Sequence, residues 1–145
     1  MKYYLATGDT EYLIKEGAEI LIETARLWCD VGNWNDGKFM INDVTGPDEY
    51  TCIVNNNYYT NACAKYNLNW AVKAANILRK MDAFQALADK LALRDAELDE
   101  FQRAADAMYL PYNEKLGINP QDDSFLQKPI WDLKNTPKEN FPLLL

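Results

Sequence analysis

The strongest structural signal in this 145-residue chain is the helical periodicity of its apolar residues from about Asn57 to Arg79. Apolar residues recur there every three or four positions, which places them on one side of a helix. This buried seam consists of Ala64, Leu68, Ala71, Ala75 and Leu78. Because alanine side chains are small, the seam lets a neighbouring helix approach closely. The pattern therefore predicts a long helix packed among other helices.

Three further segments show the same period. A helix from about Thr10 to Trp28 has the predicted inward residues Leu13, Gly17, Ile20, Leu21, Thr24 and Trp28. A helix capped by Asp82 and ending near Leu91 has the predicted inward residues Phe84, Leu87, Ala88 and Leu91. A helix capped by Asp95 and ending near Met108 has the predicted inward residues Leu98, Phe101, Ala105 and Met108. Together they predict a mainly α fold of antiparallel helix pairs.

The segments between and after these helices are irregular. The stretch from Val31 to Lys38 is polar and rich in turn residues, and residues 39–41 with Val44 form a predicted extended segment. Trp34 is either a surface on which a sugar stacks or a cover that seals its loop onto the core. Residues 109–118 suggest two short extended pieces around a turn, and residues 119–145 an irregular strap containing four prolines. The apolar ending, residues 141–145, suggests a fragment of a larger protein.

Composition excludes several classes of function. The net charge of −7 argues against binding to nucleic acids or anionic membranes, which require a basic surface. The absence of histidine removes Ser-His-Asp and Cys-His catalysis and most zinc sites. Three cysteines without regular spacing indicate reduced thiols rather than a disulfide framework. No apolar run of roughly 20 residues could span a membrane, and the N-terminus lacks a signal-peptide pattern. We expect a cytoplasmic protein.

The stretch Gly46-Pro47-Asp48-Glu49-Tyr50 uses residues in a way that packing alone does not require. Gly46 tolerates unusual dihedral angles and Pro47 fixes its own φ, so the sequence predicts a stiff loop. Neighbouring side chains on an extended loop point in opposite directions. One carboxylate can therefore face a cavity while the other turns back and hydrogen-bonds the loop. That arrangement suits an acid catalyst with a structural companion.

An amide-rich stretch, Val54-Asn55-Asn56-Asn57-Tyr58-Tyr59-Thr60-Asn61, follows shortly afterwards. It lies at the start of the long predicted helix, near backbone N–H groups and the positive end of the helix dipole. Asn55 and Asn56 could simply cap this helix, but capping does not explain three asparagines in a row. Amide and phenol groups offer directional donors and acceptors without a fixed charge. They suit directional polar contacts at the start of this helix.

These two stretches resemble the catalytic-loop signature of glycoside hydrolase family 65. That family contains phosphorylases of maltose, trehalose, kojibiose and nigerose, and some hydrolases. Supporting matches are residues 17–26 with Trp28, residues 110–112, residues 116–118 and Gln121-Asp122. The resemblance implies that residues 1–145 are part of an (α/α)₆-barrel catalytic domain, a fragment of a larger chain. The missing parts would be the earlier helices, the N-terminal β-sandwich and the phosphate-binding segment.

The resemblance also implies roles for individual residues. Glu49 would be the general acid of an inverting phosphorolysis that gives β-glucose 1-phosphate and a released sugar. Asp48 would position the loop or bind a sugar hydroxyl, and a purely structural Asp48 is an equal alternative. Further candidates for substrate binding or loop support are Asn56, Asn57, Tyr59 and Asn61, with Trp34 as a weaker subsite candidate. The expected partners are a disaccharide and inorganic phosphate as co-substrate. No metal or other cofactor is expected.

Two alternatives stay open at this point. A hydrolase of the same fold would need a second carboxylate across the cleft, roughly 6.5–9.5 Å from the acid. A non-catalytic helical binding or scaffold domain would keep the loop only as structure, with Glu49 ion-paired and closed off. For catalysis we expect Glu49 to be partly buried beside Asp48, with a raised pKa that keeps it protonated at neutral pH. The intact protein is compatible with a homodimer.

Overall fold

A computed structural model describes residues 1–49 and 51–141 of the chain. Six α-helices are present in this part: α1 (Lys2–Thr7), α2 (Thr10–Tyr12), α3 (Ala18–Val31), α4 (Tyr58–Lys80), α5 (Phe84–Leu91) and α6 (Asp95–Ala107). Two strands, β1 (Gly32–Asn35) and β2 (Lys38–Ile41), lie between α3 and α4. Tyr50 of the loop motif and residues 142–145 of the apolar ending lie outside the described residues. The mainly α prediction is confirmed.

The core forms where α4 packs against both α3 and α6, which also contact each other. The predicted seam of α4 is confirmed, since all five of its residues are fully buried. The predicted inward residues of α6 are buried as well. Strand β2 contributes Phe39 and Ile41 to the same core, and α5 adds Leu87 and Ala88 at one end. The helices are therefore held together mainly by the burial of apolar surface.

The first predicted helix needs a correction. It continues from Thr10 to Val31, but residues Leu13–Gly17 form a π-helical turn between α2 and α3. A π-turn inserts an extra residue and rotates every later side chain around the helix axis. Ile20, predicted to point inward, is 54% exposed, and Ile22 and Ala25 are buried in addition to Leu13, Gly17 and Leu21, which are buried as predicted.

Two of the predicted caps are also wrong. Asp82 adopts a left-handed φ of 55°, and the residue that precedes α5 is Ala83. Asp95 is the first residue of α6 rather than its cap. The side chain of Glu97 satisfies the start of α6, because its carboxylate accepts a hydrogen bond from the backbone N–H of Arg94 at 3.0 Å.

An ion-pair group joins α3 to α6 at the edge of the core. The Arg26 guanidinium donates to Glu97 Oε1 at 2.9 Å, to Glu23 Oε1 at 2.8 Å and to the backbone oxygen of Leu91 at 3.0 Å. Burial disfavours the charged form of Glu97, but the hydrogen bonds from Arg26 and from the Arg94 backbone outweigh it and lower the pKa of Glu97. Arg26 is thus a structural link between helices.

Strands β1 and β2 form an antiparallel hairpin with Trp34 opposite Phe39. Asp36 and Gly37 both have positive φ at the two-residue turn, which matches the right-handed twist of a hairpin. The extended segment at residues 39–41 is confirmed, but β1 falls where the sequence indicated only turns. This short strand was not predicted because its residues are mostly exposed and polar, and because they include typical turn residues.

The rest of the described chain wraps over the helices without regular strands. An isolated bridge joins Asn113 to Ile118 around a turn, as the sequence predicted, and only short 3₁₀ turns follow, at Phe125–Gln127 and Lys138–Asn140. Within residues 1–49 and 51–141, no helix combines the length and the hydropathy needed to cross a membrane.

Candidate active site

The loop that carries both carboxylates is closed at its base. Val44 and Val54 exchange two backbone hydrogen bonds, of 3.0 and 2.9 Å, which bring the ends of residues 45–53 together. Within this loop the Cys52 thiol donates to the backbone oxygen of Glu49 at 3.3 Å. The Lys128 ammonium donates to Thr51 Oγ1 at 3.3 Å. These bonds connect the loop to itself and to the segment at Lys128, and the stiffness that its Gly-Pro sequence predicts stays a prediction.

The two carboxylates have different surroundings. Asp48 is half-buried and accepts a hydrogen bond from Gln121 Nε2 at 3.2 Å. Glu49 is exposed, and its side chain forms no hydrogen bond or ion pair with the described residues. One carboxylate is thus bonded to the protein while the other faces outward. The predicted partial burial of Glu49 is wrong for this chain, because no described segment covers the outer side of the loop.

Gly46 is required for space rather than for its dihedral angles. Its φ lies outside the left-handed region, and a Cβ atom added to it would lie 2.5 Å from Asn57 Nδ2. The loop therefore rests directly on the side chain of Asn57. Position 46 thus needs glycine because of the space taken by Asn57, and not because of the unusual dihedral angles that the sequence predicted.

Four asparagines connect the loop to the helix start, and we call Asn55, Asn56, Asn57 and Asn61, together with Gln121 and Asp123, the amide junction. The side-chain oxygen Oδ1 of Asn57 caps α4 by accepting from the backbone N–H and the hydroxyl of Thr60, at 3.1 and 3.2 Å. The hypothesis that Asn55 or Asn56 caps the helix is therefore wrong.

The remaining asparagines bond to distant parts of the chain. Asn56 has a left-handed φ of 54°, and its amide donates to Asp123 Oδ2 at 2.7 Å. Asn61 donates to the backbone oxygen of Tyr109 at 2.7 Å. Asn55 Oδ1 accepts from the backbone N–H of Asp43 at 3.1 Å. Asn56, Asn57 and Asn61 are all buried. Of the two roles that the sequence left open, substrate binding and support of the loop, their geometry favours support of the loop.

The segment at residues 121–123 is the part of the site that the sequence did not identify. The backbone oxygen of Gln121 accepts from Tyr58 N at 2.9 Å, and Asp123 N donates to the backbone oxygen of Asn55 at 3.2 Å. The only sequence signal was the likeness of Gln121-Asp122 to the family pattern. Asn56 and Asp123 are 67 positions apart in the sequence, and Asp48 and Gln121 are 73 positions apart. Hydrogen bonds over such separations produce no local periodicity in the sequence.

The two aromatic candidates lie on different elements. Tyr59 is exposed in the first turn of α4, where its phenol is accessible to a ligand. Trp34 packs edge-on against the buried Phe39, with ring centroids 5.2 Å apart, and is 48% exposed. That contact supports the sealing role for Trp34 and leaves part of its ring open. Tyr59 and Trp34 stay candidates for substrate contact.

Comparison with known proteins decides the family. Residues 1–145 match the sequence model of the glycosyl hydrolase family 65 central catalytic domain. The chain belongs to glycosyl hydrolase family 65. It is 59% identical over 147 aligned residues to an alpha,alpha-trehalose phosphorylase of Geobacillus stearothermophilus, covering 100% of this chain and 19% of that protein. It is 39% identical to a kojibiose phosphorylase of Halothermothrix orenii, covering 92% of this chain and 18% of that protein.

A solved structure supports the same family. The chain superposes on a protein from the human microbiome, provisionally assigned as a kojibiose phosphorylase, with a TM-score of 0.82 and 27% sequence identity. The match covers 94% of this chain and 18% of that protein. The chain thus spans about a fifth of the length of these family 65 relatives, and its helices correspond to part of the helical catalytic domain.

Proposed function

We propose that the protein containing this chain catalyses the inverting phosphorolysis of an α-glucosidic disaccharide, with Glu49 as general acid. The observation that carries the proposal is the contrast between the two loop carboxylates. Glu49 is exposed without a described ion-pair partner, whereas Asp48 is bonded to Gln121. A cation beside Glu49 would stabilise its charged form and oppose the proton that an acid must hold.

The chemistry requires one proton donor on the leaving-group side. Glu49 would protonate the glycosidic oxygen while phosphate attacks the anomeric carbon from the opposite face. The bond to the departing sugar breaks as the new C–O bond to phosphate forms, so the configuration inverts and β-glucose 1-phosphate results. The carboxylate left on Glu49 regains a proton originally carried by phosphate. Because phosphate is already anionic, no second carboxylate is needed as a base.

Relatives that are 59% and 39% identical to this chain carry phosphorylase names, which favours a phosphorylase over the hydrolase alternative. They also indicate which disaccharide to test first. A second alpha,alpha-trehalose phosphorylase, from Thermoanaerobacter brockii, is 49% identical over 99% of this chain. Since both trehalose enzymes exceed the 39% identity to the kojibiose enzyme, we propose α,α-trehalose as the first candidate substrate.

A product assay on the intact protein tests this function. Purified full-length protein is incubated with trehalose, kojibiose, maltose and nigerose, each with and without inorganic phosphate. We expect phosphate-dependent release of glucose 1-phosphate from one disaccharide, and the β anomer in the proton NMR spectrum. Free glucose formed equally well without phosphate would support the hydrolase instead. No turnover of any disaccharide would favour the non-catalytic alternative.

A further inference from the structure

Gln121 bonds two parts of the candidate site at once. Its side-chain amide donates to the Asp48 carboxylate at 3.2 Å, and its backbone oxygen accepts from Tyr58 N at 2.9 Å. Tyr58 is the first residue of α4, directly after the Asn57 cap. Gln121 therefore joins the start of the central helix to the residue that precedes the proposed acid.

The chemistry of this contact is directional. Asp48 as a carboxylate only accepts hydrogen bonds, and the glutamine amide supplies the donor without adding a charge near Glu49. A hydrogen bond to a carboxylate is stronger than one between neutral groups. Two residues later, Asp123 accepts from Asn56 at 2.7 Å, so the segment is itself anchored to the residues that precede α4.

We propose that Gln121 is a positioning residue, which holds Asp48 and thereby sets the direction in which the loop presents Glu49 to substrate. The inference rests on the proposed function, since the direction of Glu49 matters for turnover only if Glu49 delivers the proton. It predicts that Gln121 affects the chemical step more than substrate binding. An interaction needed only in the transition state lowers kcat and leaves KM nearly unchanged.

Reversing the polarity of the hydrogen bond provides the test. In the full-length protein, Gln121→Glu places two carboxylates against each other, and we expect kcat to fall roughly 10- to 100-fold. Asp48→Asn alone removes the charge of the acceptor. The double variant D48N/Q121E restores one donor and one acceptor, so its kcat should recover at least about fivefold relative to Q121E. If the loss of kcat in the double variant equals the product of the losses in the two single variants, the proposal is overturned.

The matched control is Gln102→Glu. Gln102 Nε2 donates to Asp106 Oδ1 at 2.9 Å, so this substitution also sets one carboxylate against another. That hydrogen bond lies wholly within α6 and touches no residue of the loop or the amide junction. We expect Q102E to keep kcat and KM within about twofold of the parent protein, as surface substitutions usually do.

A structural measurement separates this inference from the proposed function. Backbone hydrogen exchange at Val44, Val54 and Asn56, whose N–H groups are hydrogen-bonded at the base of the loop, should be several-fold faster in Q121E and in the milder Gln121→Ala variant than in the parent protein. If the parent protein turns over no disaccharide, the proposed function fails, and the exchange rates still decide whether Gln121 holds the loop. Unchanged exchange in both variants, with the remaining helices intact, would overturn the inference.

Discussion

The helical core and the amide junction are held together by different interactions. In the core, α3, α4 and α6 bury alanines, leucines and Phe101, and this attraction depends on area and volume more than on direction. In the amide junction, buried side chains bond through defined donors and acceptors to residues far along the chain. We therefore expect the core to provide most of the stability, and a few directional bonds to determine the geometry of the loop.

The difference matters for catalysis because the proposed acid itself is not packed into the core. Glu49 is exposed on a loop whose base is closed by Val44 and Val54 and whose inner side rests on Asn57. Its orientation therefore depends on the amide junction. Substitutions in the two regions should separate accordingly, with the larger losses of stability in the core and the losses of turnover in the junction.

The largest loss of stability should come from the core. Phe101 is 1% exposed, and Phe101→Ala removes buried surface and leaves a cavity, which costs about 3–5 kcal/mol. Urea denaturation of the intact protein measures this change. The control is Ile20→Ala, which should cost under about 0.5 kcal/mol because Ile20 is exposed in this chain. An equally large loss in I20A would show that other segments of the intact protein bury that face.

A moderate loss should follow from crowding the amide junction. Gly46→Ala places a methyl group 2.5 Å from Asn57 Nδ2, so the asparagine must move and weaken its cap on α4. We expect a loss of roughly 1–3 kcal/mol and a fall in kcat. In an Asn57→Ala background the added methyl group has no side-chain amide to clash with, so Gly46→Ala should lower the free energy of unfolding by clearly less. Equal costs in both backgrounds would mean that Asn57 is not what restricts position 46.

The smallest effect concerns the ion-pair group at the edge of the core. Because the pKa of Glu97 is lowered in the folded state, its contribution to stability is complete above its ordinary value of 4.5 and is lost as the pH falls through the folded value. Glu97→Gln should therefore cost about 1 kcal/mol at pH 7 and progressively less below pH 4.5. Denaturation midpoints of both proteins across this range measure the difference. A cost that stays constant with pH would contradict the Arg26–Glu97 account.

These two regions also differ in how much of their structure can be predicted from the sequence. The seam of α4 and the inner face of α6 follow from spacing alone, because a helix repeats every 3.6 residues. The exposure of Ile20 could not be predicted, since the π-turn at residues 13–17 has no clear sequence signature. The Gly-Pro loop and its two carboxylates were identified from residue chemistry. Gln121, which bonds Asp48, and Asp123, which bonds Asn56, were not identified in this way, because tertiary hydrogen bonds depend on where folding brings distant segments.

The central claim is that Glu49 supplies the proton to the departing sugar, and one comparison of two substrates tests it most directly. Full-length Glu49→Gln is assayed with phosphate on the natural disaccharide and on the glucosyl fluoride of the same configuration, whose fluoride leaves with little need for protonation. We predict that kcat on the disaccharide falls by about 10²–10⁴-fold. On the fluoride, the variant should keep a much larger share of the parent kcat. A variant that splits the disaccharide at nearly the parent rate would contradict the account.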